Sequence, residues 1–421
     1  MALATAVLAT ACAPGSGEAP AGLWESEGFG LYLSLDGAVE VYEHTAVSCG
    51  LVARGSSRGS GEVLGLADDG TLLLSEADGV IRFHRIEALP ARCSAPFRSD
   101  DPVVSLSVLI ATMEEHYAFF EHRDPRWSER AGNAAAALTT DTGEAGLFEV
   151  VTGLLSPLGD AQVRVSVPGS PSLPAAVWSA GPAPPGTALL AERIREGSVP
   201  GLTSARVALE GGVVSGRLPG NVGYLAITRL AGFGDEPAGE ERALAGAISG
   251  ALADLGGVAG LVVDLRVNRG GREALAMLVA SRFVTAETVV ATRQVRVGGT
   301  DRYADAGEIV VKPMPIGPFP APLAVLVGPA TAGAAELLAL ALSGVPGVTL
   351  VGAPTAGSPS PMLLRELPNG WTVGLPHQRL LAASGELGEV RGVPVEVRVG
   401  LEPSPEDDPV IGAALEILGR G

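Results

Sequence analysis

Residues 323–343 read LAVLVGPATAGAAELLALALS. The first five residues form a continuous apolar run, which is typical of a strand buried on both faces of a sheet. A glycine-containing turn follows, and from Ala334 to Ser343 the Ala and Leu residues favour a helix. This segment therefore predicts a strand over 323–327, a sharp turn, and a helix over 334–343.

Strands and helices alternate in the same way from Asn221 onward. The other predicted strands are Val222 to Ile227, Gly260 to Leu265 and Thr349 to Gly352, and the other predicted helices are Glu240 to Leu255 and Arg272 to Val284. Continuous apolar strands separated by helices indicate a largely parallel sheet covered on both faces. We therefore expect an α/β core over residues 216–402.

The rest of the chain divides by its patterns into smaller segments. Residues 23–98 alternate short apolar runs with Asp-Gly turns and predict a small antiparallel β domain. Residues 99–168 predict a helical segment, with one helix behind Asp101-Pro102 and another over 143–156. Residues 169–215 are predicted as a Pro-rich extended or loop connection, and residues 403–421 as a helix behind Asp408-Pro409.

Composition excludes several classes of partner. The 421-residue chain is 47% hydrophobic and has a formal net charge of -18, with Lys312 as its only lysine. Because no basic stripe is present to neutralise phosphates, nucleic acid is not expected as a partner. His-x-x-x-His and Cys-x-x-Cys spacings are also missing, so neither a metal nor another cofactor is predicted.

The N-terminal residues 1–22 predict export. An apolar run ends in small residues before Cys12, and this arrangement is similar to a lipoprotein cleavage site. We expect a periplasmic, envelope or extracellular location, with lipidation at Cys12 as the only membrane attachment. The alternative is a disordered tail with an incidental cysteine. Cys49 and Cys93 are expected to form a disulfide, and two free, buried cysteines are the alternative.

Four segments in one order resemble the C-terminal-processing (tail-specific) and tricorn-core serine peptidases. Together they cover roughly residues 105–400. The resemblance is closer to the tricorn-core branch, because no obvious peptide-binding module is inserted between residues 165 and 220. The segments are Tyr117 to Trp127 with Leu155 to Gln162, Val222 to Ile227 with Gly260 to Gly271 (GLVVDLRVNRGG), Val325 to Glu336, and Val351 to Gly357 with Leu367 to Gly370 and Glu389 to Pro394. The resemblance implies a crotonase- and ClpP-like peptidase core.

The resemblance also implies a catalytic site in which two groups are replaced. The nucleophilic Ser falls on Gly333 and the base His falls on Gln162, whose amide cannot accept a proton at neutral pH. Glu389 matches the orienting carboxylate, although a solvated loop acid is the alternative. The family's oxyanion donors and substrate-binding backbone fall on Gly270, Gly271 and Ala334. The Ser-Lys branch is excluded because Ser358 stands where its Lys would be.

Two functions of different class follow. The first is an exported, catalytically impaired homologue that binds peptide or unfolded protein segments. The second is an active serine peptidase whose nucleophile has moved to Thr331 or Ser358, with His377 as base. A third alternative is an acyl-coenzyme A enzyme of the crotonase type, but no residue pattern in the sequence supports it. The sequence predicts no oligomeric state.

Overall fold

The computed structural model describes residues 20–56, 64–76, 79–170, 172–178, 186–299, 301–385, 388–400 and 407–419. Cys12 and most of the predicted export segment lie outside these residues. The chain divides into two compact units. The first contains residues 1–181, 293–307 and 360–379, and the second contains residues 182–292, 308–359 and 380–421.

The N-terminal part of the chain is a set of short strands followed by helices. In chain order these elements are β1 (Leu23–Ser26), β2 (Leu31–Ser34), β3 (Ala38–His44), β4 (Cys49–Ser56), β5 (Leu64–Leu66), β6 (Leu72–Glu76), β7 (Gly79–Ile86), α1 (Pro102–His116), α2 (Phe120–Arg123), α3 (Trp127–Ala136), α4 (Glu144–Leu155), β8 (Arg164–Ser166) and β9 (Ala176–Trp178).

Strands and helices alternate in the remainder. The elements are α5 (Thr187–Glu196), β10 (Thr203–Ala208), β11 (Val213–Leu218), β12 (Val222–Ile227), α6 (Pro237–Asp254), β13 (Gly260–Asp264), α7 (Glu273–Ala280), β14 (Thr288–Arg296), β15 (Tyr303–Val311), β16 (Leu323–Val327), α8 (Ala334–Ser343), β17 (Val348–Gly352), β18 (Met362–Glu366), β19 (Thr372–Pro376), β20 (Gln378–Ala382), β21 (Val397–Arg398) and α9 (Pro409–Leu418).

The second unit contains the predicted α/β core. Its seven-stranded sheet has the order β10-β11-β12-β13-β16-β17-β21. The five strands from β12 to β21 are parallel, and β10 and β11 are added antiparallel at one edge. Alternate strand residues face opposite sides, so Leu225 packs with Leu244 and Leu338 while Tyr224 packs with Ile194 and Ile411. The largely parallel, doubly covered sheet is therefore confirmed.

The first unit contains the predicted β domain and helical segment. Its antiparallel sheet has the order β4-β3-β2-β1-β7-β6-β5, and a smaller sheet has the order β18-β19-β8-β9. Helix α1 begins as predicted, because the Asp101 side chain accepts a hydrogen bond from the Val103 N–H at 2.9 Å. The predicted disulfide between Cys49 and Cys93 is also present, with 4.7 Å between the Cα atoms.

The predicted loop over 169–215 is wrong in part. Residues 187–196 form α5, which buries Leu190 and Ile194 and ends at Gly197 with φ 69°. Strands β10 and β11 follow it as an antiparallel pair. A three-stranded sheet of order β15-β14-β20 was not predicted either. Within the described residues, no helix is both long and apolar enough to span a membrane.

Candidate functional site

The candidate site is built around the junction between β16 and α8 in the second unit. Strand β16 is buried along its whole length. The turn after it is fixed by the buried side chain of Thr331, whose hydroxyl accepts from the Gly328 N–H at 3.0 Å and donates to the Leu265 carbonyl at 2.9 Å. The hydroxyl proton of Thr331 is therefore committed to holding this turn.

Gly333 lies immediately before α8 in a conformation that favours glycine. Its φ is 58° and its ψ is -130°, a combination that side chains adopt only with strain. Its N–H faces the Ser358 carbonyl at 3.1 Å and Glu336 Oε2 at 3.2 Å. The predicted nucleophile position thus stands at a sharp strand-to-helix turn of the kind that presents nucleophiles in hydrolases, and it has no side chain.

The glycine pair after β13 lies against this junction. A Cβ atom on Gly270 would be 2.7 Å from the Ala332 carbonyl oxygen and 2.8 Å from the Ala334 nitrogen. A Cβ atom on Gly271 would be 2.1 Å from the carbonyl oxygen of Leu230. Both positions therefore require glycine, and the structure brings Gly270 next to the start of α8.

Some of the backbone N–H groups around this contact have a hydrogen-bond acceptor and others do not. The Gly270 N–H donates to Asn268 Oδ1 at 2.8 Å. The N–H groups of Gly271 and Ala334 have no hydrogen-bond partner among the described residues. Ala334 is the first residue of α8, where helical N–H groups lack intrahelical acceptors. These two N–H groups can donate to an oxygen atom of a bound molecule.

Glu336 connects the start of α8 to the loop after β17. Its carboxylate is 1% exposed and faces four donors, which are the N–H groups of Gly333, Gly357 and Ser358 and the hydroxyl of Thr355. Burial raises the pKa of Glu336 to about 7, against the lowering effect of these hydrogen bonds. Sequence reasoning missed this role, because the partners in the loop are 19 to 22 positions away along the chain.

The loop that contains Glu389 packs on the same segment. Glu389 is buried, and the next residue, Val390, has φ 71°, which is unusual for a β-branched residue. The Val390 N–H donates to the Gly357 carbonyl at 2.8 Å. The Val393 N–H donates to the Thr355 hydroxyl at 2.7 Å. Glu389 therefore lies on a strained turn. This turn is hydrogen-bonded to the loop after β17, which in turn is held by Glu336.

A stretch that lies mostly in the second unit, with two segments in the first, matches a known protein family. Residues 221–399 match the profile described as Peptidase family S41. The matched range includes the β16–α8 junction, the Gly270–Gly271 pair and Glu389. Residues 221–399 are an S41 peptidase domain.

Relatives of this S41 domain are found among curated proteins and solved structures. The carboxy-terminal processing protease CtpA of Bacillus subtilis (strain 168) is 30% identical over 145 residues, which are 34% of this chain and 29% of CtpA. The match thus spans less than a third of that relative's length. A structure of a candidate peptidase from Parabacteroides merdae has a TM-score of 0.63 at 21% identity, over 76% of this chain and 97% of that one. Mature CPAF has a TM-score of 0.54 at 11% identity, over 75% and 95%. At these identities the two structures establish the shared fold.

Gln162, which is predicted to stand at the position of the base, lies in the first unit. It follows the buried Asp160, which accepts from the Tyr117 hydroxyl at 2.9 Å and pairs with Arg123 at 3.1 Å. The Gln162 side-chain amide donates to the Ser360 carbonyl at 3.1 Å. Asp160 therefore joins the two halves of the first resemblance segment. A cleft shared by Gln162 and Gly333 stays a prediction, because the two residues belong to different units.

The alternative nucleophiles and base occupy buried positions. Ser358 is fully buried, and its N–H and carbonyl are held by Glu336 and Gly333. His377 lies in the first unit, where its ring packs edge-on against Phe29 with 5.1 Å between the centroids. Burial lowers the pKa of His377 to about 3. An imidazole with so low a pKa is a weak general base.

Proposed function

We propose that this chain is an exported S41-family protein that has lost peptidase activity and binds peptide segments. The observation that carries the proposal is the absence of a side chain at Gly333, on the turn where a hydrolase presents its nucleophile. Gln162 adds to it, because an amide cannot take the proton of an attacking hydroxyl at neutral pH.

Peptide binding is supported by the backbone that remains. The N–H groups of Gly271 and Ala334 are available at the junction, and a peptide carbonyl oxygen is the acceptor that such paired donors fit. Glu389 is buried beside the loop after β17, so the second unit contains a carboxyl group as well as the two N–H groups. Binding can thus persist at a site where acyl transfer cannot begin.

Export is supported by two features of the chain. The disulfide between Cys49 and Cys93 is typical of proteins in an oxidising compartment such as the periplasm or the cell exterior. The leader-like residues before Cys12 agree with that location.

A serine-directed fluorophosphonate probe tests the loss of activity. We expect no labelling of the wild-type protein, almost none of Gly333→Ser, and measurable labelling of Gly333→Ser combined with Gln162→His, since only the double variant has both nucleophile and base. Gly333→Ala with Gln162→His is the matched control, because it adds the same Cβ without a hydroxyl. Wild-type labelling that Ser358→Ala or Thr331→Val removes would establish a relocated nucleophile instead.

Fluorescence polarisation with a labelled, carboxymethylated unfolded protein tests the binding. Ala334→Pro deletes one of the two donors at the first helical position, where proline is well tolerated. We expect weaker binding, and circular dichroism checks that the variant stays folded, because the proline ring is attached to a nitrogen that lies close to Gly270. Equal binding by Ala334→Pro and wild type would contradict peptide recognition at this junction.

A further inference from the structure

Three arginines follow strand β13 at intervals of three residues, and they differ in their partners. Arg266 and Arg272 are each paired with two carboxylates. The partners are Asp264 and Asp408 for Arg266, at 2.7 and 2.8 Å, and Glu240 and Glu241 for Arg272, both at 3.2 Å. Arg269 lies between them in the chain and is exposed, and its side chain has no hydrogen bond or ion pair with any of the described residues.

The charge balance of the chain makes this difference informative. The chain has 47 acidic and 29 basic residues, so carboxylates are in excess. Acidic side chains of the protein itself neutralise the first and third arginines of the loop after β13. The guanidinium of Arg269 is therefore the positive charge that remains for a bound molecule at this loop.

The backbone on both sides of Arg269 is fixed by hydrogen bonds. Asn268 is fully buried, and its Oδ1 accepts from the Gly270 N–H at 2.8 Å. The Asn268 carbonyl accepts from the Ala332 N–H at 3.0 Å, and the Gly270 carbonyl accepts from the Leu230 N–H at 2.9 Å. The residue is thus attached to a held backbone, which limits where its side chain can reach.

That backbone places Arg269 beside the two available N–H groups. The Cα atoms of Arg269 and Gly271 lie within about 8 Å of each other, because two trans peptide bonds separate them. A Cβ atom on the intervening Gly270 would lie 2.8 Å from the Ala334 nitrogen. Successive residues of an extended peptide are about 3.3 Å apart. A peptide residue one or two positions from a carbonyl bound at these N–H groups therefore lies within reach of the Arg269 side chain.

The chemistry of this position favours a carboxylate on the peptide. A guanidinium presents several N–H donors in a planar fork that matches the two oxygens of a carboxylate. The carboxyl groups of Glu336 and Glu389 in the same unit are buried, so they do not meet a peptide side chain. A single exposed guanidinium is not the basic stripe that nucleic acid requires.

We propose that Arg269 is a specificity-determining residue of the peptide site and selects acidic segments. A peptide carbonyl binds the N–H groups of Gly271 and Ala334, and a nearby Asp or Glu side chain of the peptide pairs with the Arg269 guanidinium. This inference rests on the proposed peptide binding and names the class of segment that is bound.

Fluorescence polarisation with two peptides and the full chain tests this selection. One peptide has three repeats of Ala-Glu-Leu-Ser and the other has three repeats of Ala-Gln-Leu-Ser. Both carry an N-terminal label of zero net charge and a C-terminal amide, so the Glu side chains are the only carboxylates. The measured quantity is the ratio of the two affinities at about 150 mM NaCl, where charges more than about 8 Å apart are largely screened.

The comparison with Arg269→Gln isolates the contribution of the guanidinium. We expect the preference for the Glu peptide to fall about three- to five-fold in this variant, which is the upper range for an exposed ion pair. Arg269→Lys should keep part of the preference, because the charge remains and the planar fork is lost. Arg206→Gln is the matched control, since it removes the same charge from β10, three strands away from β13 in the sheet, and should leave the ratio unchanged.

The outcomes separate this inference from the proposed function. An unchanged ratio in Arg269→Gln, or an equal fall in Arg206→Gln, would overturn the selection of acidic segments while leaving peptide binding in place. If wild type bound neither peptide, the proposed peptide binding would fail and this inference with it. Circular dichroism of each variant checks that a change in the ratio comes from the folded protein.

Discussion

Glu336 is expected to make the second unit less stable as the pH rises from 5 to 8. Burial raises the pKa of its carboxyl to about 7, whereas the unfolded chain has the ordinary value of 4.5. Between these values the folded state binds a proton that the unfolded state lacks, so stability falls as the pH rises through this window. The Thr355 hydroxyl, which lies 2.5 Å away, donates to this carboxyl and opposes the effect of burial only in part.

The size of the effect follows from the two pKa values. At about 1.36 kcal/mol per pH unit, the free energy of unfolding should fall by roughly 2 to 3 kcal/mol between pH 5 and pH 8. Buried histidines act in the opposite direction. Burial lowers the pKa of His44 and His377 to about 3, so the stability that they contribute is lost as the pH falls below about 6.5. The total pH dependence therefore mixes opposing contributions.

The informative quantity is the difference between wild type and Glu336→Gln. Urea unfolding at pH 5, 6, 7 and 8, followed by circular dichroism, should show the wild-type advantage shrinking by roughly 2 to 3 kcal/mol as the pH rises. Circular dichroism is the chosen signal because it reports on the whole chain, whereas the tryptophans at positions 24, 127, 178 and 371 all belong to the first unit. Glu308→Gln, an exposed change in the same unit, should give a flat difference. A wild-type advantage that stays constant or grows with pH would refute the reasoning and indicate that the four donors outweigh burial.

Two further changes test the local geometry. Gly333→Ala should destabilise the protein by about 1 to 3 kcal/mol in urea unfolding, because φ 58° strains any side chain, whereas Gly246→Ala in the exposed part of α6 should stabilise it by up to about 1 kcal/mol. If Gly333→Ala were as stable as wild type, the backbone conformation described for Gly333 would be contradicted. Cys49→Ser should lower the stability of the first unit, followed by tryptophan emission, by about 2 to 4 kcal/mol. A reducing agent should then affect wild type but not the variant.

The α/β core was predictable because its signals are local. Strand β16 and helix α8 have the predicted bounds, since a five-residue apolar run and a helical run are separated by glycine and proline. The caps of α1 and α9 were equally readable, because Asp101 and Asp408 accept hydrogen bonds from N–H groups two or three positions ahead.

Two elements were missed for different reasons. Helix α5 has helical apolar spacing and a terminal glycine, but it lies within a stretch whose prolines favour a loop. Strand β14 alternates between more and less buried positions, and one of its buried positions is Arg293, whose guanidinium lies 3.5 Å from Gln378 Oε1. A buried arginine breaks the apolar alternation by which strands are recognised.

The support of the candidate site could not be predicted, because it depends on contacts that the sequence pattern does not encode. The run Ala334-Ala335-Glu336 indicates a helix start, but the sequence gives no sign that Glu336 accepts from Gly357 and Ser358. That contact holds the loop that lies beside the turn at Gly333. A serine at position 333 would have to adopt φ 58° with strain, whereas glycine adopts it freely, and Glu336 holds the neighbouring loop whichever residue stands there. With glycine at position 333, the turn can therefore keep its shape and its two available N–H groups without the strain that a side chain would add.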